Sequence, residues 1–88
     1  MHEQAVLRDL IREMQRVTAQ HGARRVLAAH VWLGALCHLD EGHFREHFAI
    51  ESRGTCAAGA AVTVEVSDDL SAPSAQGVIL RSVELADD

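Results

Sequence analysis

The spacing of apolar residues in the first quarter of the chain predicts an amphipathic helix over residues 3–20. Six apolar residues recur at three- or four-residue intervals, namely Val6, Leu7, Leu10, Ile11, Met14 and Val17. This repeat gathers them on one side of an α-helix. His21-Gly22 ends the pattern, and Gly22 is a candidate for the left-handed residue that closes a helix.

A β-rich run over residues 25–36 follows and predicts the central strand of a sheet. Alternation assigns four residues to its core face: Leu27, Ala29, Val31 and Leu33. His30 and Trp32 then share the opposite face, and Gly34 is a candidate bulge.

The remaining sequence predicts one more helix and two more strands. Asp40 is a good N-cap for a helix that ends near Ser52, with Phe44, Phe48 and Ile50 as its apolar contacts. Strands are predicted over residues 60–66 and 78–85. A polar loop, residues 67–77, separates the two strands, and a short acidic tail, residues 86–88, ends the chain.

The element order α-β-α-β-β predicts an α+β fold with a small three-stranded mixed sheet and two helices packed on one face. The strand-helix-strand unit favours parallel pairing of the first two strands with a right-handed connection. The last two strands are expected to pair as an antiparallel hairpin with a long loop. With 88 residues and 48% hydrophobic residues, the chain is expected to form a single domain, residues 1–88.

Composition and charge narrow the range of partners. The formal charge is −5, and all eight basic residues are arginines without a basic run longer than Arg24-Arg25. Such a surface should repel nucleic acid and anionic lipid. Charged residues in the first helix exclude a signal peptide, and the longest apolar run, Val31–Cys37, is too short to span a bilayer. We therefore expect a soluble, cytoplasmic protein.

Met1-His2-Glu3 offers nitrogen ligands in a compact arrangement. The Met1 amine, the His2 imidazole and the backbone amides of His2 and Glu3 can chelate one ion in a nearly planar set. Ni(II) and Cu(II) prefer tetragonal nitrogen ligation of this kind. A start codon followed by histidine is the plainer interpretation of these residues taken alone.

Two other constellations have plainer structural interpretations. His43-Phe44-Arg45-Glu46-His47 has the H-x-x-E-H spacing of inverted zinc peptidases. A hydrolase would need a third ligand and a substrate cleft, so two exposed histidines on an amphipathic helix are favoured. Cys37-His38-Leu39-Asp40 offers thiol, imidazole and carboxylate, but the stronger interpretation is that Cys37 is buried, His38 is a loop residue and Asp40 is the helix cap. Cys37 and Cys56 form no C-x-x-C motif.

Several segments together resemble the HypA family, the nickel-delivery accessory proteins of NiFe-hydrogenase maturation. The segments that carry the resemblance are Met1-His2-Glu3, His21 to Val26, Leu33 to Leu36, Ser52 to Thr55, Gly59-Ala60 and Leu80 to Leu85. The resemblance implies an Ni(II) site built from the Met1 amine, the His2 side chain and amide, and the Glu3 amide and side chain. Asp40 matches a carboxylate that lies near this site in some members.

The resemblance also implies partners: a nickel-handling maturation GTPase and the hydrogenase large subunit, with urease maturation as a second client. One departure is large. HypA proteins carry a zinc ribbon with two C-x-x-C pairs between the last two strands, whereas residues 67–77 contain no cysteine. We therefore expect a nickel metallochaperone without structural zinc and without catalysis. The alternative is a metal-independent docking or assembly subunit of a hydrogenase-related complex that has lost nickel transfer.

Overall fold

The computed structural model describes residues 3–86 of the chain. It contains two helices and three strands in the predicted order. These are α1 (Glu3–Gln20), β1 (Val26–Leu33), α2 (Glu41–Glu51), β2 (Ala61–Val66) and β3 (Val78–Leu85). The predicted α+β fold class is confirmed, and the bounds of α1 and β3 agree with the prediction. The strand predicted over residues 25–36 is shorter, because the chain leaves the sheet after Leu33.

The three strands form one mixed sheet with β1 in the centre, in the order β2-β1-β3. β1 pairs with β2 in parallel, as predicted from the helical crossover, and with β3 in antiparallel orientation. The predicted hairpin between β2 and β3 is wrong. Residues 67–77 instead pass the end of β1: Ser67 donates to the carbonyl of Leu33, and Gly34 donates to that of Gly77. The backbone at the end of the buried central strand thereby gains hydrogen-bond partners on both sides.

The core face of β1 differs from the simple alternation at its start. Val26, Ala29, Val31 and Leu33 are buried in the core. Leu27, which was predicted to share that face, is 42% exposed. The pairing of β1 with β3 shifts register between Val26 and Ala28, so an irregularity exchanges the two faces there. The predicted set was therefore wrong at Leu27 and right at its other three positions.

α1 packs its apolar stripe on the sheet, with Leu7, Leu10, Ile11 and Met14 all buried. The left-handed residue that closes the helix is Gly22, as predicted, with φ of 65°. The Ala23 amide donates to the carbonyl of Thr18, and the Gly22 amide donates to that of Ala19. These two bonds form a Schellman motif and satisfy carbonyls at the helix end.

α1 runs in the same direction as β3. Val6 and Leu10 lie beside Val78 and Leu80 at the start of β3, and the other end of α1 lies beside Val83 and Leu85. Because β3 is antiparallel to β1, α1 is antiparallel to β1. The crossover helix α2 also runs back against β1, so the two helices point in roughly the same direction.

α2 contributes Phe44 and Phe48 to the core, with ring centroids 5.8 Å apart. Ile50 was expected to add to this contact, but it is 51% exposed. The spacing explains the difference, because Phe44 and Phe48 are four positions apart and share one side of the helix, whereas Ile50 lies outside that side. Neither helix of the described residues is long and apolar enough to cross a membrane.

Candidate metal-binding site

The starts of the two helices lie toward one end of the sheet. Val6 of α1 lines a surface groove with Val78, and Val78 pairs with Leu33, the last residue of β1. The chain leaves β1 at this same end and reaches α2 after a short connection. The N-terminal half of α1 and the N-cap Asp40 of α2 are therefore on the same side of the molecule.

An ion pair joins the first half of α1 to the end of α2. Arg8 Nε lies 3.6 Å from Glu51 Oε2, near the end of α2. At a rise of 1.5 Å per residue, Glu3 lies about 8 Å before Arg8, whereas Asp40 lies about 16 Å before Glu51. Counted along the two helices, Asp40 is thus further from the ion pair than Glu3 is, and both lie on its N-terminal side.

Asp40 is the predicted N-cap of α2. Its backbone is extended, with φ of −90° and ψ of 172°, and its Oδ1 accepts the backbone N–H of His43 at 2.8 Å. The second oxygen, Oδ2, lies 3.5 Å from His43 Nδ1. The carboxylate is 72% exposed, so capping occupies one oxygen and leaves the other open to a further ligand.

The predicted ligands at the N-terminus lie at the limit of the described chain. Met1 and His2 are outside the described residues, as is the side chain of Glu3, and the backbone of α1 begins at Glu3. Among the predicted ligands Met1, His2, Glu3 and Asp40, the structure therefore describes only the side chain of Asp40. The nitrogen ligands stay a prediction.

The Cys37-His38-Leu39-Asp40 segment does not bring three ligands together. Half-buried Cys37 packs against the core, and its thiol donates to the carbonyl of Leu39 at 3.6 Å. His38 is exposed, with φ of 63°. Between residues 3 and 86 no group of three or more His, Cys, Asp or Glu side chains is already arranged around a metal position.

Asp69 has a local role in the loop that joins β2 to β3. Its Oδ1 accepts the hydroxyl of Ser71 at 2.7 Å and the backbone amide of Ser71 at 3.0 Å. These hydrogen bonds hold the pKa of the Asp69 carboxyl below its ordinary value. The Asp68-Asp69 pair is thus a turn in the loop rather than a metal ligand set.

His43 and His47 lie next to each other on α2, with ring centroids 6.3 Å apart. His43 is exposed and His47 is half-buried, while Phe44 and Phe48 turn toward the core. The H-x-x-E-H spacing drew attention to these two histidines but not to their relation with Asp40. The signal was present, because Asp40 precedes His43 by three residues, the interval at which side chains meet on a helix.

Comparison with known proteins identifies the family of this chain. The model of the HypA family, described as hydrogenase/urease nickel incorporation, metallochaperone, matches residues 1–71. The chain belongs to the HypA family. Its role is thereby that of a nickel metallochaperone in hydrogenase or urease maturation, as the resemblance predicted. A search of the curated proteins finds no significant match.

Solved structures of HypA share the fold. The solution structure of the Ni metallochaperone HypA from Helicobacter pylori matches with a TM-score of 0.73 and 15% identity, covering 97% of each chain. A second structure, described as the solution structure of HypA protein, matches with a TM-score of 0.70 and 17% identity over 100% of this chain and 98% of its own. At this identity the likeness concerns the fold. As expected from the sequence, this chain has the fold without any cysteine in residues 67–77, between β2 and β3.

Proposed function

We propose that this HypA-family protein binds one Ni(II) at its N-terminus and delivers it without catalysing a reaction. The ligands are the Met1 amine, the His2 side chain and amide, and the Glu3 amide and side chain. The observation that carries the proposal is the match of the nickel-incorporation family over residues 1–71, which includes Met1-His2-Glu3. Nitrogen ligands in a compact chelate suit Ni(II).

Asp40 adds a carboxylate to this site. Two observations support its role: its Oδ2 is not used by the helix cap, and Asp40 and the first half of α1 lie toward the same end of the sheet. A carboxylate there offsets the positive charge of the ion.

The proposed recipients are a nickel-handling maturation GTPase and the hydrogenase large subunit, with urease maturation as a second client. We propose that delivery takes place in the cytoplasm. The surface supports protein clients over nucleic acid or anionic membranes, because the chain carries a formal charge of −5.

We further propose that the protein holds no structural zinc. The loop of residues 67–77 is tied to the end of β1 by backbone hydrogen bonds instead. Leu36 donates to the carbonyl of Ala75 at 2.7 Å, and Gly34 donates to that of Gly77 at 2.9 Å. Ala75 is itself buried. Backbone hydrogen bonds and burial therefore hold this loop in place, as a metal holds a zinc ribbon.

One feature favours a second candidate function, that of a metal-independent docking subunit. Leu36 and Leu70 are 38% and 66% exposed, and both line a surface groove with Pro73. Apolar residues exposed together are a common mark of a protein contact. In this alternative the exposed groove binds a protein of a hydrogenase-related complex, and nickel transfer has been lost.

Nickel titration of tag-free protein that begins with a free Met1 amine separates the two functions. A metallochaperone should bind one Ni(II) per chain by calorimetry. A three-residue Ser-Gly-Ser extension before Met1 should remove that binding, because it moves the amine away from His2. A single added residue is unsuitable, since His2 would then be third in a new amine-amide-imidazole chelate. Absence of binding to the authentic protein, with retained binding to a hydrogenase large subunit, would favour the docking subunit.

A further inference from the structure

β2 forms an edge of the sheet whose outer side has no partner strand within residues 3–86. It pairs with β1 in an unbroken parallel register along its whole length. Ser67, the residue after β2, donates its amide to the carbonyl of Leu33 in β1. Backbone groups alternate sides along a strand, so those of Val62, Val64 and Val66 point away from β1. These three residues therefore offer N–H and C=O groups to a further strand.

β2 lacks the features that protect many edge strands from pairing. Such strands are commonly blunted by bulges, prolines or several charged side chains. β2 has no bulge against β1 and no proline, and Glu65 is its one charged residue. The opposite edge strand, β3, shifts register twice against β1 and carries Arg81 and Glu84. The edge of β2 is therefore the one suited to pairing with another strand.

An apolar groove lies beside this edge on the helix side of the sheet. Phe44 and Phe48 of α2 line it together with Val62 of β2. Val66 is four positions after Val62 in the strand and lies on the same face. Its side chain is nevertheless 55% exposed. A strand added outside β2 would place every second side chain on the side of this groove and cover Val66.

We propose that β2 pairs with β2 of a second copy of the chain, in antiparallel orientation about a twofold axis. The register that places Val64 opposite Val64 also places Val62 opposite Val66, so all three outward-facing residues are paired. Directly opposite residues lie on the same face of a sheet, so Val66 of each copy covers Val62 at the groove of the other. On the open face Glu65 lies opposite Thr63, which keeps like charges apart. A contact of this kind is closed, so the assembly stops at two chains.

Unpaired charges at the two ends of β2 favour a second copy as the partner. Asp68 follows the end of β2, whereas Arg53 follows Ser52, which lines the groove with Gly59 just before β2. Both charged side chains are exposed, and neither forms an ion pair within residues 3–86. Antiparallel pairing brings the end of one β2 to the start of the other. Asp68 of each copy therefore approaches Arg53 of the other, and the charges are complementary at both ends.

Sedimentation equilibrium of tag-free protein in excess EDTA tests this pairing in the absence of a bridging metal. The average mass should rise from one chain to two as the protein concentration increases. Hydrogen exchange then locates the contact. The Val64 amide points away from β1 and should gain protection only at high concentration. The Thr63 amide points toward β1 and should be protected at every concentration.

Val66→Lys should weaken self-association by about tenfold or more, because it buries a charge against the groove of the other copy. Val66 is exposed in the single chain, so the fold should tolerate the change. The matched control is Leu27→Lys, which replaces an apolar side chain of similar exposure, 42%, on the central strand. It should leave self-association unchanged, and circular dichroism should show that both variants stay folded.

Exchange of charges between two variants tests the contact between copies directly. Arg53→Glu and Asp68→Arg should each weaken self-association by about tenfold or more, because like charges then meet at both ends of the paired strands. A mixture of the two variants should associate as strongly as the unsubstituted protein, since each end of the mixed dimer joins opposite charges.

A single chain at every concentration would overturn the proposal. A dimer that persists in Val66→Lys, or that shows no preference for the mixed pair of charge variants, would also overturn it, because the contact would then lie elsewhere. Neither result bears on the proposed nickel site, since all of these measurements are made in EDTA and nickel binding is titrated separately.

Discussion

Asp40 contacts His43 twice, through the backbone and through the side chain. Oδ1 accepts the His43 amide at 2.8 Å, and Oδ2 lies 3.5 Å from His43 Nδ1. One carboxylate thus begins α2 and presents a second oxygen at the end of the sheet from which α1 also starts. A structural role and a role in metal binding can therefore be separated by substitution.

Asp40→Asn should weaken nickel binding while leaving the fold nearly unchanged. Asparagine caps a helix about as well as aspartate, but it lacks the negative charge that favours a cation. Asp40→Ala removes both roles and should also lower the free energy of unfolding by on the order of 1 kcal/mol. Calorimetry gives the affinity, and urea unfolding gives the stability.

Asp68→Asn is the matched control for Asp40→Asn, because it removes one exposed carboxylate from the loop between β2 and β3. Its nickel affinity should equal that of the unsubstituted protein. If Asp40→Asn also binds nickel with unchanged affinity, Asp40 is a helix cap only, and the carboxylate has no place in the site.

His2→Ala should remove the high-affinity nickel site without destabilising the protein. The imidazole closes the chelate that begins at the Met1 amine, and tetragonal sites depend on each nitrogen ligand. Both groups must also be deprotonated, so affinity should fall as the solution is acidified. The control is His21→Ala, which removes a histidine at the opposite end of α1. Unchanged one-to-one binding in His2→Ala would place the site elsewhere.

The secondary structure was predictable where one local pattern determines it. The bounds of α1 follow from its apolar stripe and from Gly22, whose φ is 65°. The position of β3 was not predictable in the same way. Whether β3 pairs with β2 or with β1 depends on where residues 67–77 attach, and Gly34 and Leu36 form those bonds with residues distant in sequence.

The same limit applies to faces and to the site. Leu27 is exposed because a register shift against β3 interrupts the alternation of β1, and no feature of residues 25–36 announces that shift. Asp40 was identified as a cap from the sequence around it. Its position at the same end of the sheet as the start of α1 depends on how β1 pairs with β3, and that pairing has no local signature.

Gly34→Ala should destabilise the fold strongly. A Cβ on Gly34 would overlap the backbone of Ser74 and of the buried Ala75, with only 2.6 Å to Ala75 C and 2.7 Å to Ser74 O. Backbone atoms cannot move aside as a flexible side chain can, so the loop must shift. We expect a loss of roughly 3 kcal/mol in the free energy of unfolding, at the upper end of the cost of overpacking.

Gly77→Ala tests whether the effect is specific to that close approach. A Cβ there would meet Ser74 O at 3.5 Å, an ordinary contact. Urea unfolding should therefore show a much smaller change than for Gly34→Ala. Similar losses in both variants would mean that glycine flexibility, and not the contact with residues 74 and 75, is what the loop requires.

Treatment with a zinc chelator should have no effect on the fold. In a zinc ribbon the thiolate ligands contribute much of the folding free energy, and loss of the metal unfolds the ribbon. Cys37 and Cys56 are the only thiols of this chain, and both lie outside residues 67–77. Cys37 donates to the carbonyl of Leu39, and the Cys56 thiol lies 3.8 Å from the Thr18 hydroxyl. Each thiol therefore already has a polar partner within the fold.

Elemental analysis of protein purified without a tag should accordingly find no stoichiometric zinc. A strong chelator should leave the circular dichroism and the melting temperature unchanged, apart from any stabilisation by bound nickel. Cys37→Ala and Cys56→Ala serve as controls, because each removes a thiol without touching the loop. One tightly held zinc per chain, with unfolding when it is removed, would contradict the prediction. In that case Cys37, His38 and Cys56 are the first ligands to test. Cys37 and Cys56 are the thiols of the chain, and His38 follows Cys37 directly.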